Sequence, residues 1–233
     1  MNEISVVVPV YNESSVIKAS LLNISAYFGK KIGKYEIIVV DDGSSDNTVE
    51  IANSLNLNSI KVISYSRNRG KGYAVKEGVL AAKYNYVLFM DADLATPPEE
   101  IETMAPYIDD FDIVIASRML PTSKIKQHQP VLRRLLGVIG KKIISLTLTR
   151  GIKDTQCGFK LFKTDIAKKL FSMQKTERWG FDFEILFIAQ KLKYKIKEVP
   201  VVWYAMEDSK LRFLDYISTL YDLIRLRLRR YKF

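Results

Sequence analysis

The sequence predicts an α/β fold, a mostly parallel sheet flanked by helices. Three observations predict it. Short apolar runs alternate with helix-length stretches through the first half, the pattern of β-α units feeding a parallel sheet. The runs are almost purely apolar, as strands covered on both faces must be. Three turns that follow such runs carry carboxylates, at Glu13, Asp41-Asp42 and Asp91-Asp93, and the C-terminal strand ends of open α/β sheets are where ligands bind.

The elements follow in order. Ile4 to Val8 reads as the first strand, ended by Pro9, because proline cannot donate to a ladder. An amphipathic helix is expected from Ser14 to Phe28. Glu36 to Val40 is the second strand; Gly43 permits a tight turn after it, and Ser45 or Asp46 can cap a helix from Thr48 to Leu55. Ile60 to Tyr65 is the third strand, and Arg67 to Gly72 leads into a helix from Tyr73 to Ala82. Val87 to Met90 is the central strand. Alternate strand residues point the same way, so Asp91 and Asp93 converge on one cation if the strand continues that far. Pro97 and Pro98 open another helix, with Glu99, Glu100 and Glu102 favouring its N-terminal dipole. Asp112 to Ala116 is the fifth strand, running into Ser117-Arg118.

The second half is less regular. Lys124 to Gln129 reads as a polar loop. Val131 to Leu148 is apolar, helix-length and studded with Arg133, Arg134, Lys141 and Lys142. A short strand follows Asp154-Thr155-Gln156-Cys157-Gly158-Phe159. Arg178 to Glu184 opens a helix reaching about Leu192. Ile196 to Trp203 is a further strand in which Pro200 marks an edge or a bulge. Leu211 to Arg230 is a final helix with Phe213, Ile217, Leu220, Ile224, Leu228 and Tyr231 at helical spacing and Arg225, Arg227, Arg229, Arg230 and Lys232 crowding its end.

At 233 residues the chain forms one large domain or one domain with an appendage. A single cysteine, Cys157, rules out an intramolecular disulfide and suits a reducing compartment. The N-terminus enters a strand at once and no stretch approaches the ~18 apolar residues of a membrane span; neither a signal peptide nor a transmembrane helix is expected. The net charge of +10 favours anionic partners. Much of it lies on the 131–148 and 211–230 helices, where a basic rim beside an apolar face suits an anionic membrane surface at ~1 kcal/mol per basic residue. A helix packed on the core with a solvated basic face is the alternative for the last one. Nucleic acid is disfavoured, since no reader motif occurs.

If the first strands share one sheet, Glu13, Asp41-Asp42 and Asp91-Asp93 line one cleft that fits a nucleotide, with Asp91 and Asp93 as hard oxygen ligands for Mg²⁺ or Mn²⁺. Arg67, Arg69 and Lys71 are either phosphate ligands or a solvated loop, and their spacing is not that of a P-loop. The single histidine, His128, sits in a polar stretch, and Cys157 has no histidine beside it in sequence, so neither reads as catalytic. A dehalogenase-type phosphatase would need Asp-x-Asp-x-Thr, and Thr96 comes one residue late. A non-catalytic binding protein on a membrane is the non-enzymatic alternative.

With these residues in view, the chain resembles the family 2 glycosyltransferases of the GT-A fold. The likeness runs through Val8-Pro9-Val10-Tyr11-Asn12-Glu13, Val39 to Thr48, Arg67-Asn68-x-Gly70-Lys71-Gly72 and Met90-Asp91-Ala92-Asp93. Ser117-Arg118, Asp154 to Phe162, Arg178-Trp179-x-Phe181-Asp182-x-Glu184 and Asp208-Ser209-Lys210-Leu211 are similar to the branch that glucosylates dolichyl phosphate, and less so to the dolichyl-phosphate mannose synthases. The resemblance implies a catalytic domain over 1–210, a lipid-facing helix at 131–148 and an appended basic helix at 211–233. It implies that Pro9, Tyr11, Glu13 and Asp42 hold the nucleoside, and that Asp91 and Asp93 bind the metal and diphosphate. Lys71, Ser209 and Lys210 would face the donor phosphates, and Arg118 with Arg133 or Arg134 the acceptor phosphate. Arg118 and Asp182 are the expected catalytic residues, Asp182 orienting the acceptor; its alternative is a helix cap. The implied reaction is inverting transfer of a sugar from a nucleotide donor, UDP-glucose favoured, to a polyprenyl phosphate at the cytoplasmic face of a membrane. Ala95 stands where mannose synthases carry Gln, which turns the expectation away from GDP-mannose. The eukaryotic relatives' N-terminal anchor is not expected here. A soluble acceptor is the remaining alternative.

Overall fold

A computed structural model describes residues 1–126, 148–204, 221–226 and 231. The first strands and helices alternate as expected: β1 (Glu3–Val10), α1 (Ile17–Lys31), β2 (Lys34–Asp41), α2 (Thr48–Ser54), β3 (Ile60–Ser64), α3 (Lys71–Ala81) and β4 (Tyr86–Met90). A 3₁₀ turn (Pro98–Glu100), the one-turn helix α4 (Ile101–Met104) and β5 (Ile113–Ser117) follow. Then come β6 (Lys124–Lys126), β7 (Phe159–Lys163), α5 (Thr164–Met173), α6 (Phe181–Lys191), β8 (Ile196–Pro200) and β9 (Val202–Tyr204).

Seven strands form one sheet in the order β3-β2-β1-β4-β7-β5-β8. All run parallel except β7, which lies antiparallel to both β4 and β5. The sheet is buried on both faces, and the pleat divides its side chains between two cores. Val6, Val8 and Val10 of β1 pack with Ile17, Leu21, Ile24 and Phe28 of α1. Val7 faces the other way, toward Val75 and Val79 of α3 and Leu170 of α5. Periodicities of two and 3.6 thus meet on each face.

The structure corrects several expectations. Pro9 does not end β1, which pairs with β2 as far as Val10↔Asp41. The Val10 carbonyl accepts the Asp42 N–H on the β2 side (2.9 Å). Strand alternation turns the Pro9 backbone toward β4, past the last β1–β4 pair at Val7↔Phe89, where no ladder bond is lost. Lys124–Lys126 is not loop: it pairs in parallel with Val202–Tyr204 in a two-stranded ribbon. The expected strand from Ile196 to Trp203 is therefore two, parted after Pro200, which sits on the sheet-edge strand β8 as its type requires. The Tyr204 N–H donates to the Ala95 carbonyl (2.8 Å), tying the ribbon to the turn after β4.

Of the C-terminal segment, residues 221–226 are helical. Leu223 and Leu226 are buried against Leu148 and Phe183, while Tyr221 (62% exposed) and Ile224 (55% exposed) face outward. No helix among the described residues is long and apolar enough to cross a membrane.

Candidate active site

The site forms where β1, β2 and β4 end side by side. Strand β4 stops at Met90, so Asp91 and Asp93 do not converge by strand alternation, contrary to expectation. Both lie instead in the turn that follows, where the charge of Asp91 is felt by Asp93. Leu94 takes φ of 54°, and the Asp93 carboxylate accepts the Ala95 N–H at 3.0 Å. Burial pushes the Asp93 carboxyl up and the negative charge of Asp91 adds to the rise, against the Ala95 N–H and Lys71. The Asp91 N–H donates to the Gly158 carbonyl (3.1 Å). A side chain at position 158 would collide with Asp91: its Cβ would lie 1.9 Å from Asp91 Oδ2. Glycine there is a condition of Asp91's placement. Lys71 Nζ lies 2.6 Å from Asp91 Oδ1. Burial alone would lower the lysine, and the carboxylates of Asp91 and Asp182 outweigh it and hold Lys71 above its ordinary value.

The neighbouring turns are stitched together by their own polar side chains. Asp41 accepts the Ser44 N–H (3.2 Å) and the Ser64 hydroxyl (2.9 Å). Asn12, at φ of 52°, receives the Ser45 N–H on its side-chain oxygen at 2.8 Å. Asp46 accepts both the Thr48 N–H and the Ser14 N–H at 3.1 Å; it lies just outside the N-cap, Asn47, and joins the start of α2 to the turn after β1. Glu13 is held by its N–H on the Thr48 hydroxyl (2.8 Å). Asp42 is 3% exposed. It accepts the Tyr65 hydroxyl (2.8 Å), the Arg69 N–H (2.9 Å) and the Gly70 N–H (2.8 Å). Asp42, expected at the nucleoside, thus shapes the loop that delivers Lys71. Gly70 in that loop takes φ of +113°, with the Glu177 carbonyl 2.6 Å from where a Cβ would be. Arg69 pairs with Glu177 and stacks over the Tyr73 ring at 3.5 Å.

The second half contributes two buried ion pairs. Arg118, at the end of β5, grips Asp154 as a fork, with Nε–Oδ2 at 2.7 Å and Nη2–Oδ1 at 2.8 Å. Its backbone N–H adds a third bond at 3.0 Å, and its guanidinium lies 5.4 Å from the Trp203 ring centroid. Burial would lower the Arg118 pKa; Asp154 overrides it and raises it. Much of the charge expected to meet a phosphate is therefore balanced within the protein. Asp182 is no helix cap: it is 5% exposed in the first turn of α6 and pairs with Lys160 of β7. Burial pushes its carboxyl up, opposed by Lys160 and Lys71.

Lys71, Asp91, Asp93 and Asp182 form one electrostatic cluster, with Glu13 felt by Asp93. Pro9 closes the same edge in β1, and Tyr11, 41% exposed, follows it. Cys157 is a packed small residue, 1% exposed, as expected. Arg133, Arg134, Ser209, Lys210 and His128 lie outside the described residues. Sequence reasoning gave no role to Lys160 or Asp154. A lysine between Phe159 and Leu161 in a strand-length run was the available signal, since a central strand has no solvent to receive it.

The glycosyl transferase family 2 model matches residues 5–171. The chain belongs to this family. It is a glycosyltransferase, and the phosphatase and non-enzymatic readings fall away. Among relatives, a Dictyostelium discoideum protein named dolichyl-phosphate beta-glucosyltransferase is 38% identical over 97% of this chain and 74% of its own length. The Homo sapiens protein of that name is 34% identical over 97% of this chain and 75% of its own. A Trichomonas vaginalis protein, dolichyl-phosphate beta-glucosyltransferase ALG5C, is 38% identical over 94% of this chain and 69% of its own. Among solved structures, Mycobacterium tuberculosis glucosyl-3-phosphoglycerate synthase in complex with Mn²⁺, UDP and glucosyl-3-phosphoglycerate superposes with a TM-score of 0.73 at 19% identity, over 98% of this chain and 81% of that one. Mannosyl-3-phosphoglycerate synthase from Rubrobacter xylanophilus gives 0.72 at 18% identity, over 97% and 73%. The family 2 chain therefore has the mixed α/β, mostly parallel architecture its sequence predicts.

Proposed function

We propose that this glycosyltransferase moves glucose from UDP-glucose to a dolichyl-type polyprenyl phosphate, with inversion, at the cytoplasmic face of a membrane. The observation that carries the reading is the set of relatives named for that reaction, which align with nearly the whole chain. The site supports it: a cleft edge of carboxylates with lysine and arginine behind them suits two anionic substrates.

A divalent cation, Mg²⁺ or Mn²⁺, fits the donor set. Asp91 and Asp93 offer hard oxygens, and Asp91 Oδ1 already holds one cation, the Lys71 ammonium at 2.6 Å. Among those residues no three carboxylate, histidine or cysteine ligands converge, so donor phosphate oxygens and water would complete the shell. Bound there, the ion would neutralise charge on the departing diphosphate.

The protein's own residues do the rest. The acceptor phosphate is anionic near neutral pH and needs no strong base; its oxygen bonds to the anomeric carbon as the bond to the nucleoside diphosphate breaks. Alignment and charge stabilisation carry the rate. Lys71, held by the Asp42-shaped loop, faces the donor phosphates. Asp182 orients the acceptor, and Arg118, with Arg133 or Arg134, receives its phosphate. Glu13, Pro9 and Tyr11 line the nucleoside end. Ser209 and Lys210 belong to the same reading as donor contacts, and the basic C-terminal helix as a membrane contact. Purified protein with UDP-glucose, Mn²⁺ and dolichyl phosphate should yield lipid-extractable glucose. Transfer only to a soluble acceptor such as 3-phosphoglycerate would refute the proposal.

A further inference from the structure

Asp182 is held from below by a residue with no assigned task. Lys160 is 2% exposed in the strand between β4 and β5, paired with Phe89 on one side and Ile115 on the other. Its Nζ donates to Asp182 Oδ1 and to the Cys157 carbonyl at 2.7 Å, and lies 5.5 Å from the Phe89 ring centroid. Stability alone does not account for this pair. Desolvating two ions costs several kcal/mol each, and packed apolar residues of similar volume often serve as well or better. The pair also sits where it affects chemistry. Asp91 and Asp182 are close enough to repel, and an anionic acceptor arriving beside them would add to that repulsion. The same short segment serves both carboxylates: Gly158 bonds and makes room for Asp91, and Lys160 bonds Asp182 two residues on.

We propose that Lys160 is a positioning residue of the transfer reaction, fixing the Asp182 carboxylate and offsetting that carboxylate's own negative charge as an anionic acceptor approaches. This rests on the reading of Asp182 as the residue that orients the acceptor. The test compares Lys160→Met, Asp182→Asn and the double variant, with melting temperature, kcat and KM for polyprenyl phosphate, and equilibrium binding of UDP with Mn²⁺. Lys160→Met is expected to lower kcat/KM for the acceptor by up to ~10²-fold, the scale of a mispositioned group, with UDP affinity unchanged. A purely structural lysine would move the melting temperature without this split between substrates. The double variant is expected to match Asp182→Asn alone, because Lys160 acts only through Asp182. The double variant also leaves no unpaired buried charge, so the comparison survives if Lys160→Met does not fold. A double variant much slower than Asp182→Asn, or a Lys160→Met protein with unaltered acceptor kinetics beside an inactive Asp182→Asn, overturns the role of Lys160. Full activity in Asp182→Asn overturns instead the reading of Asp182 on which it rests.

Discussion

Replacing Gly158 with alanine separates folding from catalysis. The added Cβ would stand 1.9 Å from Asp91 Oδ2, 2.3 Å from Cγ and 2.6 Å from Oδ1. Carbon atoms of this kind essentially never approach closer than 3.0 Å, so the carboxylate must retreat by at least about 1.1 Å (from 1.9 to 3.0 Å). The backbone cannot give instead, because the Met90↔Phe159 pair and the Asp91 N–H to Gly158 carbonyl bond hold both segments. A side chain can turn away, so the fold should survive with a loss of ~1–3 kcal/mol. At ~2–4 °C per kcal/mol for a chain of this size, the protein stays folded at assay temperature. Catalysis has no such slack: a misplacement of ~1 Å costs on the order of 10²-fold, or about 2.7 kcal/mol of transition-state stabilisation. Glucose transfer to polyprenyl phosphate and a thermal melt are measured on the same preparation. Gly33→Ala, whose Cβ meets only the Asn2 carbonyl at 3.6 Å, is the control. Gly158→Ala with wild-type activity would refute the argument that Asp91 must sit where the structure puts it.

Three further outcomes follow from the same geometry. Asp42→Asn presents an amide to the Arg69 and Gly70 N–H donors, and should cost ~1–3 kcal/mol in chemical denaturation while raising KM for UDP-glucose through the displaced Lys71 loop. Arg118→Ala leaves Asp154, 0% exposed, without its fork, and should cost ~3–5 kcal/mol, read as a lowered denaturation midpoint. Asp46 reports on acid stability. Partial burial would raise its carboxyl, but hydrogen bonds from Thr48 and Ser14 hold it at about 2, below its ordinary 3.8. A folded value below the unfolded one means the contribution is complete above pH 3.8 and fades as pH falls toward 2. Acid unfolding followed by circular dichroism should begin at higher pH in Asp46→Ala.

The repeating β-α pattern was legible because each unit is local: an apolar run, a polar turn and an amphipathic stretch within some twenty or thirty residues. The acidic turns were legible for the same reason. Long-range pairing was not. Nothing in Phe159–Lys163 announces that it inserts antiparallel between β4 and β5, since a fully buried strand reads alike in either direction. Lys124–Lys126 becomes a strand only because Val202–Tyr204 arrives beside it. The expected strand alternation of Asp91 and Asp93 failed because a sequence does not state where a strand yields to a turn, and β4 stops at Met90. Asp154 and Lys160 matter only through partners thirty-six and twenty-two residues away, and the burial that makes those pairs consequential is a property of the finished fold.

The choice of donor is decided by offering the protein UDP-glucose and GDP-mannose in parallel. Each donor is radiolabelled and supplied with Mn²⁺ and polyprenyl phosphate, with Asp93→Ala as the control. A dolichyl-phosphate glucosyltransferase gives lipid-soluble label from UDP-glucose and loses it in Asp93→Ala. Label from GDP-mannose alone would overturn the glucose assignment, and lipid labelling undiminished in Asp93→Ala would overturn the role of Asp93.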